Sequence, residues 1–194
     1  MRQAQQTRET RETSISAALE LEGTGVAVVD TGIGFFDHML EAWTRFACFN
    51  LNMVVQGDLR VDSHHTVEDC GIVLGQALRE ALGDKAGIER VGNCLFPMDE
   101  ALVQVAVDIS NRGYLGWAVD LSTDPVPSFP AELAEEFFRA LALNAGISLH
   151  VRLITGQNSH HILEAVFKGV GRALRSAVDR SGRYAGVPST KGLL

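Results

Sequence analysis

Short stretches of alternating apolar and polar residues predict strands in two parts of the chain. Residues 13–20 alternate in this way, and a Gly-Thr-Gly segment separates them from the apolar run 26–29. Residues 101–109 and 114–119 flank a turn-forming segment, 110–113, in the same manner. Each pair has the pattern of a β-hairpin, so we expect the two strands of each pair to lie side by side.

An internal duplication is the strongest structural signal in the chain. Residues 64–82 read HHTVEDCGIVLGQALREAL and residues 160–178 read HHILEAVFKGVGRALRSAV, with eight identities in 19 aligned positions. Unrelated sequences would share about one identity over this length. The identical pairs are His64/His160, His65/His161, Glu68/Glu164, Gly75/Gly171, Ala77/Ala173, Leu78/Leu174, Arg79/Arg175 and Ala81/Ala177. The two segments predict equivalent helices in two halves of one fold.

Further elements fit the same duplication. Residues 34–46 and 131–145 predict the first helix of each half, and 51–57 and 149–156 predict a strand between the helices. Three prolines in residues 124–130 predict a rigid loop before the third helix. Two strands, a helix, a strand and a helix, present twice, predict an α+β fold with two sheets, each covered by helices on one face.

The two halves are expected to form a single domain. We predict that residues 1–194 form one domain of two pseudo-repeats at about 9–92 and 93–182, followed by a C-terminal tail, 183–194. No low-complexity linker separates the repeats. A chain of 194 residues is long enough to bury a core shared by both.

Composition narrows the class of protein. Hydrophobic residues make up 46% of the chain and charged residues 21%, which is typical of a globular protein. The net charge of −7 argues against a nucleic-acid partner, and no apolar run reaches the length of a membrane span. The N-terminus lacks a signal-peptide core, and the three cysteines form no paired motif. We therefore expect a cytoplasmic protein in a reducing compartment.

The repeated His-His-x-x-Glu motif has the chemistry of a metal site. His64 and Glu68 are four residues apart and share a helix face, whereas His65 points about 100° away from His64. Adjacent histidines therefore suit two different ions. A single copy is more often a solvated helix face, but two copies in register favour ligation. Imidazole and carboxylate donors without a thiolate favour manganese, iron, cobalt or zinc.

Five segments together resemble the imidazoleglycerol-phosphate dehydratases of histidine biosynthesis. They span most of the chain in the family's order: GFFDHML (34–40), DSHHTVED (62–69), PMDEAL (97–102), NSHHILEA (158–165) and PSTKG (188–192). The resemblance implies a duplicated fold similar to the second domain of ribosomal protein S5. It also implies a large assembly of identical subunits, 24 in the family, with two manganese ions per active site at subunit contacts.

The resemblance assigns metal ligands in two sets. One set is His38, His65, His160 and Glu164, and the other is His64, Glu68 and His161 with a fourth ligand just before the Phe137-Phe138 pair. Some members of the family have histidine at that fourth position, where this chain has Glu136. A carboxylate also binds manganese, but Glu136 could equally be an exposed residue in the first turn of a helix.

The implied reaction is the dehydration of D-erythro-imidazoleglycerol phosphate to imidazoleacetol phosphate through a metal-bound imidazolate. Metal at the ring explains how a hydroxyl can leave beside a C–H bond that is not acidic. Proton transfer needs a carboxylate, for which the resemblance implies Glu12, with Glu164 as a second candidate.

The resemblance also implies a phosphate-binding set, which makes the C-terminal tail 183–194 part of the active site. Arg90, Arg112 and Lys191 match anion-binding positions of the family, with hydroxyl donors from Ser189 and Thr190. Arginine suits phosphate because its planar guanidinium donates paired hydrogen bonds. Many members have Gly and Pro around the second arginine, where this chain has Asn111 and Gly113, so the turn that holds Arg112 could differ.

Two other functions fit part of the pattern. A dinuclear phosphatase would use the metals to activate water, and would hydrolyse simple phosphate esters. Purely structural metals would join subunits and have all coordination positions filled by protein. Both alternatives leave Glu12 and the PSTKG segment without a role.

Overall fold

A computed structural model of the chain describes residues 1–121, 126 and 129–194, which form two four-stranded sheets and four helices. The first half contains β1 (Gln3–Glu9), β2 (Thr13–Glu20), β3 (Ala27–Asp30), α1 (Gly34–Ala47), β4 (Asn50–Gly57) and α2 (His64–Leu82). The second contains β5 (Val91–Met98), β6 (Ala101–Asp108), β7 (Tyr114–Ala118), α3 (Glu132–Ala145), β8 (Ser148–Thr155) and α4 (Ser159–Val178). The duplicated α+β fold with two helix-covered sheets is confirmed.

Each half has one strand more than the sequence pattern predicts. The additional strands, β1 and β5, lie at the edges of their sheets and bury few side chains. In β1 only Ala4 is buried, and in β5 only Gly92. Without a row of large apolar residues on one face, neither strand produces the alternation that marks a half-buried strand.

The predicted pairing of β2 with β3, and of β6 with β7, is wrong. The strand orders are β1-β2-β4-β3 and β5-β6-β8-β7, so β4 and β8 lie between the strands expected to be neighbours. β3 pairs with β4 in parallel, as β7 does with β8. A parallel pair needs a crossover, and the helices α1 and α3 provide it. The true hairpins are β1-β2 and β5-β6.

The helices of the two halves pack across each other and create one shared core. α2 covers β1 and β2 of its own sheet and also packs along α3, while α4 covers β5 and β6 and packs along α1. Buried side chains from both halves form one continuous apolar cluster, with Trp43 and Phe36 from the first half and Phe138 and Phe167 from the second. The halves therefore cannot be separated without exposing the core.

Two glycines of the duplicated segment permit these helix crossings. A Cβ on Gly75 would lie 2.7 Å from the carbonyl oxygen of Leu141, and one on Gly171 would lie 2.3 Å from that of Trp43. Helix backbones can approach this closely only where no side chain intervenes. The identity Gly75/Gly171 in the repeat therefore has a packing cause.

The loop predicted at residues 124–130 lies largely outside the described residues. Phe129 is described, is fully buried and stacks on Phe36 at a centroid distance of 5.7 Å. Among the helices that the structure describes, none is long and apolar enough to cross a membrane.

Candidate active site

Three of the predicted metal ligands meet where α1 crosses α4. His38 lies in the first half on α1, and His160 and Glu164 lie in the second half on α4. The Nε2 atom of His38 is 3.8 Å from Oε1 of Glu164, and that of His160 is 3.3 Å from Oε2. One donor atom from each of the three lies within 4.8 Å of the others. The packing of one half on the other thus assembles this cluster.

The donor set and its spacing fit a divalent ion. Two donors bound about 2.2 Å from one ion lie up to about 4.4 Å apart, so small side-chain shifts would bring the three groups onto a common centre. Two imidazoles and a carboxylate, without a thiolate, are ligands for borderline divalent ions such as manganese, iron or zinc. Glu164 is buried whereas the two histidines are exposed, so the cluster opens to solvent on the histidine side.

Lys168 fixes the carboxylate of Glu164. Its Nζ lies 2.6 Å from Oε1 of Glu164, one helical turn earlier on α4. Burial is the largest single influence and raises the pKa of Glu164, but the hydrogen bond and charge of Lys168, together with the charges of His38 and His160, lower the pKa overall. The lysine stem passes Phe46 and Met98, with Nζ 5.5 Å from the ring centroid and 3.6 Å from the sulfur. Lys168 was not among the predicted site residues, although the Glu-x-x-x-Lys spacing indicates such a pair.

The second predicted ligand set is not assembled within one chain. His64 and Glu68 are close, with Nε2 and Oε2 3.9 Å apart, and both side chains are about half exposed. Glu136 instead faces Arg139, 3.8 Å away on α3. In the part of the chain that the structure describes, the only group of three donors is the His38 cluster. His65, the fourth predicted ligand of the His38 cluster, is not part of that group. The assignments of His65 to that cluster, and of His64, Glu68, His161 and Glu136 to a second ion, remain predictions.

His65 and His161 each have a carboxylate at Nδ1. For His65 this is Asp58, at 3.0 Å, with Glu12 farther away at 3.8 Å. For His161 it is Glu100, at 2.8 Å. The hydrogen bond to each carboxylate raises the pKa of the histidine. These contacts hold Nδ1 of both rings, and Nε2 of His161 faces the exposed Asp99, whose carboxylate lies 3.8 Å away.

Glu100 also holds the loop that precedes α4, whose N-cap is Asn158. It accepts hydrogen bonds from the backbone N–H groups of Gln157 and Asn158, at 3.3 and 3.0 Å. The hydrogen bond from His161 and these backbone donors lower the pKa of Glu100 to about 2. Glu100 lies in the PMDEAL segment but was not among the predicted site residues. Asp58 was also missed, because no spacing rule links it to His65.

Glu12 is exposed at the β1-β2 turn, but the turn itself is anchored. The hydroxyl of Thr13 donates a hydrogen bond to Asp69 on α2, and both residues are buried. Arg8 reaches the same carboxylate at 2.9 Å. The hydroxyl of Thr10 accepts hydrogen bonds from the backbone N–H groups of Glu12 and Thr13, at 3.0 and 2.9 Å. These contacts fix the backbone that presents Glu12 towards His65.

All five predicted phosphate ligands line one cleft of about 690 Å³ near the C-terminus. The members of this set are Arg90, Arg112, Ser189, Thr190 and Lys191. Arg90 is held by a two-point contact with Asp108, at 2.7 and 3.1 Å, and donates to the carbonyl of Pro188 at 2.9 Å. Its hydrogen bond to Asp108 raises the pKa of the guanidinium. The cleft is therefore a cationic pocket closed by the C-terminal tail.

The two departures around Arg112 have structural roles. Asn111 has a φ of 60° and donates through its side chain to the carbonyl of Leu194 at 2.7 Å. A Cβ on Gly113 would lie 2.6 Å from Cα of Leu143 on α3. The turn that holds Arg112 is thus tied to the last residue of the chain on one side and packs on a helix on the other.

Fold and site together define a class of protein. The chain is a duplicated α+β protein in which a histidine-carboxylate cluster of metal-binding type forms at the contact between the halves. A family model described as imidazoleglycerol-phosphate dehydratase matches residues 31–174. The chain belongs to the imidazoleglycerol-phosphate dehydratase family.

Individual relatives agree with the family assignment. The imidazoleglycerol-phosphate dehydratase of Desulfitobacterium hafniense is 61% identical over 194 residues, covering all of this chain and 99% of its own. That of Dinoroseobacter shibae is 55% identical over 195 residues, with full coverage of both chains.

Two crystal structures are similar to this fold. The imidazoleglycerol-phosphate dehydratase from Staphylococcus aureus has a TM-score of 0.83 and 40% identity, with coverage of 92% of this chain and 99% of its own. The enzyme from Pyrococcus furiosus in complex with (S)-C348 has a TM-score of 0.85 and 41% identity, with coverage of 97% and 100%.

Proposed function

We propose that the protein dehydrates D-erythro-imidazoleglycerol phosphate to imidazoleacetol phosphate in histidine biosynthesis, in the cytoplasm. The observation that carries the proposal is the His38-His160-Glu164 cluster in a chain of this family. The cationic cleft that contains Arg90 and Arg112 adds a site for the phosphate end of the substrate. Two manganese ions per active site are the cofactors that we propose.

The reaction breaks one C–O bond and one C–H bond and releases water. The hydroxyl leaves from the carbon attached to the imidazole ring, and a proton leaves the next carbon, which gives an enol. The enol then becomes the ketone by taking up a proton at carbon and losing the proton of its hydroxyl group. Divalent ions, when bound, supply the Lewis acidity that makes an imidazole ring easier to deprotonate. His38, His160 and Glu164 would hold one such ion.

Glu12 is the carboxylate that best fits proton transfer. It is exposed, it lies 3.8 Å from His65, and the anchored β1-β2 turn presents it. Glu164 is less suited, because Lys168 keeps it ionised and its oxygens face the histidines of the cluster. A general acid or base must reach the substrate and change its protonation state during the reaction. We therefore assign proton transfer to Glu12 and ligation to Glu164.

The positions of the two sites support an active site built from more than one subunit. The phosphate cleft adjoins the C-terminal end of α4, where the N–H of Arg90 donates to the carbonyl of Ala177 at 2.8 Å. His160 lies at the other end of the same helix. Seventeen residues at 1.5 Å per residue separate them by about 25 Å, more than one small substrate can span. We propose a homo-oligomer, with 24 subunits as in the family, in which metal and phosphate sites of different subunits meet.

The test is turnover of imidazoleglycerol phosphate by metal-stripped protein, with and without manganese, followed through the ketone product. We expect product only with manganese, and its loss in His64→Ala and His160→Ala. His150→Ala is the matched control, since His150 lies on the exposed sheet face against Tyr114, away from the cluster. Hydrolysis of simple phosphate esters without ketone formation would support the phosphatase alternative. Metal binding and assembly without any turnover would support structural metals.

A further inference from the structure

The two hairpin turns of the duplicated fold present equivalent glutamates. Leu19 of β2 pairs with Leu51 of β4, and Val107 of β6 pairs with Leu149 of β8, so Leu19 and Val107 are equivalent positions. Counting back seven residues from each gives Glu12 and Glu100. Both are the residue immediately before the second strand of the hairpin.

The equivalent glutamates face equivalent histidines but contact them differently. Glu100 hydrogen-bonds Nδ1 of His161 at 2.8 Å. Glu12 lies 3.8 Å from Nδ1 of His65, beyond hydrogen-bond distance, and Asp58 occupies the position at Nδ1 instead, at 3.0 Å. The carboxylate at Nδ1 of the histidine is therefore Glu100, from the hairpin turn, in the second half. In the first half it is Asp58, from the loop before α2.

A longer loop in the first half brings Asp58 to this position. Between β4 and α2 the chain has six residues, 58–63, whereas between β8 and α4 it has three, 156–158. Asp58 is the first residue of the longer loop. At the corresponding point of the second half, the backbone N–H groups of Gln157 and Asn158 donate to Glu100 and keep its carboxylate beside His161.

A carboxylate that accepts a hydrogen bond from Nδ1 prepares the other ring nitrogen, Nε2, to bind a metal ion. The hydrogen bond keeps the proton on Nδ1, orients the ring and leaves the lone pair of Nε2 available for a metal ion. Removing such a partner typically weakens metal binding 10–100-fold. A glutamate that already holds a histidine in this way is not available to move a proton on a substrate.

We infer that Glu100 and Asp58 are the positioning residues of His161 and His65, and that Asp58 releases Glu12 for proton transfer. The inference rests on the proposed function, in which His161 and His65 are metal ligands. It assigns the duplicated glutamates two different roles: Glu12 acts on the substrate, and Glu100 orients a ligand.

The first experiment measures manganese binding to the assembled, full-length protein through the spectroscopic signal of free Mn²⁺. Glu100→Ala removes the acceptor, Glu100→Gln keeps an acceptor oxygen without the charge, and Asp99→Asn removes the neighbouring charge of the same turn. We expect Glu100→Ala to weaken the binding of one of the two manganese ions per chain by a factor on the order of 10–100. Glu100→Gln should recover most of the loss. Asp99→Asn should weaken binding far less than Glu100→Ala, because Asp99 is exposed and lies 3.8 Å from Nε2 of His161 without a hydrogen bond to the ring.

The outcomes separate this inference from the proposed function. Wild-type protein that binds no manganese would overturn both. Wild-type binding with an unchanged affinity in Glu100→Ala would overturn the inference alone. So would losses in Glu100→Gln and Asp99→Asn as large as that in Glu100→Ala, which would indicate a charge effect. If Glu100→Ala does not assemble, Glu100→Asp retracts the carboxylate from Nδ1 while keeping its charge, and it should show the same loss.

The second experiment tests whether Glu12 can take the place of Asp58 at Nδ1 of His65. In Asp58→Ala, Glu12 is near enough to move onto Nδ1 of His65, so manganese affinity should fall only a few-fold while turnover falls much more. In the double variant Asp58→Ala/Glu12→Ala, no carboxylate of the pair remains, and affinity should fall as far as in Glu100→Ala. Equal affinities in the single and double variants would contradict a shared position for the two carboxylates.

Discussion

At the scale of single residues, Glu164 combines burial with a negative charge, and Lys168 makes this possible. Both side chains are largely buried, at 9% and 16% exposure, with 2.6 Å between the charged atoms. Removing one partner of such a pair leaves the other charged and desolvated. We expect Lys168→Met to lower the free energy of unfolding of the metal-free protein by about 3 kcal/mol. Urea denaturation would measure this loss, with exposed Arg175→Met on the same helix as a control.

Manganese should partly replace the missing lysine. An ion bound to Glu164 compensates the charge, so manganese should stabilise Lys168→Met more than it stabilises the wild type. Equal stabilisation of the two proteins would show that the ion does not contact Glu164.

A second residue-scale prediction concerns the anchor of the β1-β2 turn. Thr13→Val keeps the shape of the side chain and removes the hydroxyl that donates a hydrogen bond to Asp69. Thr13 and Asp69 are both buried. An unsatisfied buried acceptor costs about 1–3 kcal/mol, although Arg8 remains as one partner. We expect a stability loss at the lower end of this range and a decrease in kcat, because the turn also presents Glu12. Ser14→Ala, on the exposed side of the same strand, should change neither quantity.

At the scale of secondary-structure elements, the helix crossings depend on the repeated glycines. In Gly171→Ala the new methyl group would lie 2.3 Å from the carbonyl oxygen of Trp43, so α1 and α4 must separate. Alanine favours a helix by about 1 kcal/mol over glycine, but overpacking costs about 1–3 kcal/mol and displaces His38 from His160. We therefore expect a net loss of stability together with weaker manganese binding.

A neighbouring glycine provides the matched control for Gly171→Ala. In Gly169→Ala the added methyl group meets only side-chain atoms, the nearest being Cγ2 of Val105 at 3.0 Å. Side chains can shift where a backbone cannot, so this variant should retain manganese affinity. Equal loss of affinity in the two variants would argue against the crossing as the determinant of the cluster.

Sequence patterns predicted the helices better than the pairing of the strands. The four helices were predicted to within one residue of their observed ends, because each has a broad apolar face and two of them carry the repeat. Strand pairing was not predictable from the alternation alone, since β4 returns between β2 and β3 only after the crossover through α1. β1 and β5 were missed because edge strands bury few side chains.

The site residues also divide into those that a sequence pattern predicts and those that it does not. Residues within a motif, such as His160 and Glu164, could be proposed from spacing, since three or four residues along a helix determine which side chains share a face. Asp58 and Glu100 act on histidines through tertiary contacts, across seven and 61 residues. No local pattern encodes such a contact.

At the scale of the whole molecule, the distance along α4 between the metal cluster and the phosphate cleft leads us to predict active sites shared between subunits. His160→Ala and Arg112→Ala should each be inactive, because one damages the metal cluster and the other the phosphate cleft. If these parts come from different subunits, an equal mixture reassembled together should recover up to about one quarter of wild-type activity, since each intact part is drawn independently from half of the subunits. Mixing His160→Ala with His38→Ala, which damage the same cluster, should recover none.

The packing of α1 on α4 and of α2 on α3 also bears on the origin of the chain. A protein half this length, with one sheet and two helices, would expose the helix faces that the other half now covers. Two copies related by a two-fold axis would cover those faces for each other. A gene duplication that began from such a homodimer would turn a contact between two chains into the interior of one. Only after fusion could the two equivalent glutamates be selected separately.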